Sequence, residues 1–253
     1  MIISHKHKFI FFRPGKVAGT SIEIGLSQFL GEDDVITPEM VADKDIDDKV
    51  HEDKFQNSKG FDHHSKPAEI KEKVSSTVWD TYTKITACRN PWDTTVSNWY
   101  WEQFIASRGG LVDRDFSLKN IRNRFIQGRL APWKIYQKIQ QMLSYKIKTI
   151  DYNDFYEYLE KVQNPNHNNN FYFDTDDLYF DEIIRFEHLQ EDYDRIFTSL
   201  GIPQHILPRT KTKTRKDKRH YSKVYDEHPG TEDIVAEMFK RQITTFDYKF
   251  ERK

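Results

Sequence analysis

The stretch FIFFRPGKVAGTSIEIGLSQFL, Phe9 to Leu30, decides how the rest of the chain is read. Phe9-Ile10-Phe11-Phe12 is a short, continuous apolar run, which suits a strand covered on both faces. Pro14-Gly15 breaks the run. Gly19-Thr20-Ser21 then opens a helix with Ile22, Leu26 and Leu30 on one side and Gly31 to close it. A helix that starts just after a buried strand presents free backbone N–H groups and the positive end of its dipole. That makes an anion site, and Lys16 adds a mobile positive charge. A plain strand-to-helix turn is the other reading of the same residues.

The loop does not match the one that binds nucleoside triphosphates with magnesium. Counted from Gly15, that loop needs Gly-Lys-Ser/Thr at positions 20–22, where this chain has Thr20-Ser21-Ile22. Lys16 precedes the hydroxyl pair instead of adjoining it. The pattern therefore points to an anion, with phosphate foremost, and not to ATP and magnesium.

A second stretch, KITACRNPWDTTVSNWYWEQF from Lys84 to Phe104, has the same strand-to-helix grammar. Lys84–Cys88 is strand-like, Asn90 caps a helix, Pro91 takes its first position, and Asp93 is expected to reach back as in a capping box. Arg89 then stands at the carboxyl end of a strand, where ligands of open α/β sheets bind. Ser97 lies seven residues beyond Asn90 and so on the same side of the helix. One arginine and one hydroxyl facing the same space can clamp a phosphate. Trp92, Trp99 and Trp101 are expected to pack.

The rest of the chain extends this alternation. Glu182–Phe186 reads as a third strand, followed by a helix with Leu189, Tyr193, Ile196, Phe197 and Leu200 on one face and Gly201 and Pro203 as its stop. Ser65 is expected to cap a helix with Pro67 in its first turn. Residues 107–165 are expected to form a mainly helical insertion, with segments at Phe116–Gln127, Pro132–Leu143 and Asp151–Val162. Another helix is expected over Thr231–Phe246. The acidic segment Glu32–Asp53 reads as a solvated loop or a short helix. Arg209–Lys223 carries eight Lys/Arg against Asp217 alone, which suits a basic loop able to close over anions. Buried strands alternating with helices imply an α/β fold with a central, mainly parallel sheet, taken as one domain over 1–253.

Composition narrows the function. A net charge of −1 argues against a protein dominated by nucleic-acid binding. The one cysteine, Cys88, leaves no intrachain disulfide and is expected to be buried. No apolar run approaches the ~18 residues of a membrane span, so a cytoplasmic, membrane-free protein is expected. The adjacent His63 and His64 lack further ligands for a metal, and no metal is expected.

The pair PGKVAGTS and KITACRNPWDTTVSNWYW resembles the two signature segments of sulfotransferases that use 3′-phosphoadenosine-5′-phosphosulfate (PAPS), closest to the carbohydrate-type and microbial branch. IIRFEHLQEDYDRIFTSLGIP and the ending HYSKVYDEHPGTEDIVAEMFKRQITTFDYKFE extend the likeness. The resemblance implies a P-loop-like fold, a PAPS donor yielding adenosine 3′,5′-bisphosphate, and an acceptor bearing a hydroxyl, with carbohydrate one candidate. It implies that Arg13, Gly15, Lys16, Gly19, Thr20 and Ser21 bind the 5′-phosphosulfate end. It places Arg89 and Ser97 at the 3′-phosphate, with Arg215 or Lys216 closing over the nucleotide. Lys16 would also serve catalysis, with His64, ahead of Pro67, as general base and His63 as its alternate. The Gly that follows the basic pair in cytosolic small-molecule members is replaced by Asp217. A P-loop kinase using ATP and a non-enzymatic nucleotide-binding module are the competing readings.

Overall fold

The computed structural model describes residues 1–37, 58–61, 64–107, 153–161, 171–174, 177–210, 215 and 217–253. His63, Lys216, the expected helices at 116–127 and 132–143, and most of the expected insertion lie outside the described residues.

The expected central strand is β2, Phe9–Phe12, and all four of its side chains are buried. Parallel to it runs β4, Thr83–Cys88, and parallel to β4 runs β7, Glu182–Arg185. On the other side β2 pairs antiparallel with β1, Ile2–Ser4, which pairs antiparallel with β3, Val35–Ile36. The sheet order is β3-β1-β2-β4-β7. Two reversals restore direction, so four of the five strands run one way and β1 alone opposes them. A separate two-stranded ribbon joins β5, Phe173–Asp174, to β6, Asp177–Leu178.

Alternation along β2 divides the core in two. Phe9 and Phe11 face helix α1, Gly19–Ser27, and a helix over Leu189–Ser199, in a cluster with Ile22, Leu26, Ile85, Ile184 and Phe197. Ile10 and Phe12 face the opposite layer, with Cys88, Trp92, Val96 and Trp99. That layer holds α2 (Pro67–Lys73), α3 (Ser76–Thr81), α4 (Pro91–Ala106) and α5 (Phe155–Lys161). The Leu189–Ser199 helix is α6; α7 (Ser222–Glu227), α8 (Thr231–Met238) and α9 (Lys240–Phe246) follow.

Several boundaries differ from expectation. Helix α1 stops at Ser27, so Leu30 and Gly31 lie beyond it. Lys66, not Ser65, is the residue before α2, and Ser65 is buried. The helix expected over 231–246 is broken at Phe239, whose φ of −113° leaves helical geometry. Helix α6 ends as expected, with Gly201 at φ 76° and Ile202 N–H donating to the Phe197 carbonyl at 2.9 Å. Cys88 is buried, its Sγ is 3.0 Å from the Tyr248 hydroxyl, and burial pushes the thiol up to about 12.

The acidic stretch is not simply a solvated loop, because its described part contains β3 and the buried Asp34. This carboxylate binds Ser4 Oγ at 2.8 Å and the N–H groups of His5, Lys6 and Gly31 at 2.7, 3.2 and 2.9 Å. Burial pushes the carboxyl up, but these hydrogen bonds outweigh it and hold it below the ordinary range. The lowered group adds stability above the unfolded-state value, and that stability disappears as pH falls through the folded-state value. Asp34→Asn should therefore cost about 1–3 kcal/mol at neutral pH. Urea melts should show the difference from wild type shrinking below about pH 4.

Gly19 packs on Arg13, whose guanidinium donates to Glu23 Oε2 at 2.6 Å and to Thr20 Oγ1 at 2.8 Å. A Cβ on Gly19 would lie 2.5 Å from Arg13 Cγ, and these bonds keep Arg13 from yielding. Gly19→Ala should destabilise the fold by about 1–3 kcal/mol in the same melts. Wild-type stability in that variant would contradict the close approach.

Candidate active site

The carboxyl ends of the three parallel strands each deliver one part of the site. After β2 comes the loop Arg13–Ala18, which enters α1 with two non-glycine residues in the left-handed region, Lys16 at φ 64° and Ala18 at φ 63°. Such backbone conformations persist only when their surroundings enforce them. Ala18 supplies no side-chain cap to α1, so the first-turn N–H groups of Gly19, Thr20 and Ser21 rely on partners other than a capping side chain. Gly15 is neither crowded nor at positive φ, so its geometry would admit a side chain.

Polar side chains around this loop are already organised. Arg13 is buried against Glu23 and Thr20. Ser21 Oγ lies 3.0 Å from Thr210 Oγ1, which joins the start of the basic segment to α1. The Lys16 ammonium stands 4.7 Å above the Trp101 ring. Trp101 itself stacks on Phe104. His64 Nδ1 lies 2.9 Å from the Arg13 carbonyl. A carbonyl only accepts, so Nδ1 carries the proton and a neutral His64 has its lone pair on Nε2.

After β4 comes Arg89. Its Nε donates to Asp93 Oδ2 at 2.9 Å with Nη2 ion-paired to the same oxygen at 2.8 Å, its Nη1 donates to the Lys16 carbonyl at 3.1 Å, and its guanidinium lies 3.9 Å from the Phe186 ring centroid. Phe186 follows β7 directly, so all three strand ends meet at this one group. Arg215, from the basic segment, donates Nη1 to Asp93 Oδ1 at 3.2 Å and packs 5.8 Å from the Tyr100 ring centroid. Next to it, the bond from Arg219 holds Asp217 down at about 2.

Helix α4 is the base of this arrangement. Asn90 caps it as expected, with its Oδ1 accepting from Trp92 N–H at 3.1 Å. Asp93, however, does not close a capping box. The Asn90 N–H goes instead to Glu187 Oε1 at 2.7 Å, and Asp93 is taken by the two arginines. Ser97 is half-buried one turn further on, and Trp101 one turn beyond that. Asp93, Ser97 and Trp101 thus form one stripe beneath the loop. Trp92 and Trp99 pack in the core as expected, whereas Trp101 meets Lys16.

The structure therefore brings Lys16, Arg89 and Arg215 into one connected array, with His64 on the opening residue of the loop. Sequence reasoning missed Asp93, Trp101 and Phe186. The four-residue Arg89–Asp93 spacing was an available signal for the first of these. Nothing local marked Phe186.

Comparison with known proteins agrees with this architecture. No curated protein and no solved structure matches the chain. The model of the sulfotransferase family matches residues 1–249, which takes in every segment of the array. On that match the chain belongs to the sulfotransferase family.

Proposed function

We propose that this sulfotransferase takes its sulfuryl group from PAPS and passes it to an acceptor hydroxyl, with a carbohydrate hydroxyl one candidate. The observation that carries the reading is the junction of three segments far apart in sequence: Arg89 bonds the backbone carbonyl of Lys16 in the loop, and Arg215 is joined to Arg89 through Asp93. A donor bearing phosphate at both ends of its ribose suits an array that has a loop and helix start on one side and paired arginines on the other. The strand–loop–helix unit of β2 and α1 supports the P-loop-like reading of the fold.

In this reading the loop and the first turn of α1 receive the 5′-phosphosulfate. The S–O bond to the phosphate breaks as the bond to the acceptor oxygen forms, and charge accumulates on the departing bridging oxygen. Lys16 stabilises that charge. His64 Nε2 takes the acceptor proton, since a hydroxyl attacks only as its proton leaves. The Nδ1 bond to the Arg13 carbonyl supports this role by fixing the tautomer. Arg89, Ser97 and Arg215 hold the 3′-phosphate. Arg13, in contact with Glu23 and Thr20, acts by shaping the loop.

Incubation with ³⁵S-labelled PAPS and a panel of hydroxyl acceptors should move label to at least one of them and release adenosine 3′,5′-bisphosphate in equal amount. Label transfer from no donor but ATP carrying ³²P would contradict the reading.

Two variants separate the roles. His64→Ala should leave donor affinity nearly unchanged while kcat falls about 10²–10⁴-fold. Lys16→Ala should weaken donor binding and turnover together. If His64→Ala keeps more than about a tenth of kcat and His63→Ala does not, the base is His63.

Calorimetry supplies a third check. Adenosine 3′,5′-bisphosphate should bind more tightly than adenosine 5′-monophosphate, and Arg89→Ala should erase about 10- to 100-fold of that preference. Equal affinity of the wild type for the two nucleotides would remove Arg89 from the 3′-phosphate.

A further inference from the structure

Asp93 occupies the first turn of α4, a place that favours a carboxylate through the helix dipole. Its bonds go elsewhere. One oxygen takes the Nε–H of Arg89 and pairs with its Nη2, and the other takes an N–H from Arg215. The three side chains are mostly buried, at 17% exposure for Asp93, 11% for Arg89 and 21% for Arg215. Two guanidiniums this close would repel each other without the carboxylate between them.

The donors left over are informative. Arg89 gives Nε to Asp93 and one Nη1 N–H to the Lys16 carbonyl, so its terminal nitrogens still hold N–H groups for an acceptor. Arg215 gives Nη1 to Asp93 and Nη2 to the Arg219 carbonyl at 2.8 Å. Its Nε is buried with no hydrogen-bond partner among the described residues. A buried guanidinium N–H without an acceptor is costly, so this is where an anion gains most. Arg89 is already fixed by the Lys16 carbonyl and the Phe186 ring. Arg215 comes from the chain between α6 and α7, and the rigid helix reaches it through Asp93.

We propose that Asp93 is a positioning residue for the donor's 3′-phosphate: it holds Arg89 and Arg215 side by side so that one anion can accept from both. The proposal rests on the reading of these arginines as the holders of that phosphate. A carboxylate beside a phosphate site also repels the phosphate, and the two effects oppose each other. Orientation wins here. The charge of Asp93 is balanced by its paired arginines, whereas charge-assisted hydrogen bonds weaken steeply when misaligned. A 3′-hydroxyl gains little from two cations, so the effect is specific to ligands with a 3′-phosphate.

The test uses the whole chain and calorimetry with adenosine 3′,5′-bisphosphate and adenosine 5′-monophosphate. Asp93→Asn should lower the preference for the bisphosphate about tenfold, as the loss of one charge-assisted contact would, and leave monophosphate affinity unchanged. Arg215→Gln, a change at a partly exposed site, should give a similar loss, and the double variant should lose no more than either single one. If Asp93→Asn fails to fold, Arg215→Gln still decides: undiminished preference in that variant overturns the proposal. A preference kept or raised in Asp93→Asn overturns it too. So does an equal loss of both nucleotides, which would mark a purely structural role. A wild type that does not distinguish the nucleotides brings down the reading of the phosphate site itself, and the proposal with it.

Discussion

The Arg89 guanidinium is where the sheet and the site become one object. It leaves β4, bonds the carbonyl of Lys16 in the loop after β2, lies on the ring of Phe186 after β7, and pairs with Asp93 on α4. A charge this buried is tolerable only while its partners stay in place, and removing one partner from such a pair typically costs about 3–5 kcal/mol. The parallel register brings those partners together. Cys88 pairs with Arg185 across β4 and β7, so those two strands finish level, while β2 ends at Phe12 opposite Thr86, two residues short of them. Ligands of α/β sheets collect at such carboxyl ends.

The electrostatic design follows from that junction. A chain with a net charge of −1 places Lys16, Arg89 and Arg215 at the carboxyl ends of the parallel strands, with Asp93 between the two arginines. Each cation is steadied by something other than solvent: the Trp101 ring for Lys16, the Phe186 ring and Asp93 for Arg89, Asp93 and the Arg219 carbonyl for Arg215. Fixed charges of this kind stabilise developing negative charge without reorganising during the reaction. In the proposed reading, sulfuryl transfer, in which charge moves to a departing phosphate oxygen, would be served by that arrangement.

Much of this was legible in the sequence because it depends on local pattern. A continuous apolar run marked β2, short stretches with apolar centres marked β4 and β7, and Gly201 marked the end of α6. Lys16, Arg89 and Ser97 followed from their places after those strands. The misses share a different cause. Ile2-Ile3-Ser4 and Val35-Ile36 are too short to carry a period, so the edge formed by β1 and β3 was not foreseen. Asp34 looked like one acidic residue among many, although it is buried by bonds to a hairpin about thirty residues earlier. Asp93 fitted a capping box by position, and only the approach of Glu187 to the Asn90 N–H shows which carboxylate takes that bond. Side-chain partners from distant segments leave no mark on local periodicity. The reading of Asp93 changed for that reason.

The central claim is that the loop after β2, the start of α4 and the basic segment serve one ligand together. Hydrogen exchange with and without saturating adenosine 3′,5′-bisphosphate, followed by mass spectrometry, tests it most directly. Peptides carrying Lys16 to Ser21, Arg89 to Ser97 and Arg215 should all become protected, with the same dependence on ligand concentration. Protection confined to the first of these, with the other two unchanged at saturation, would contradict the account.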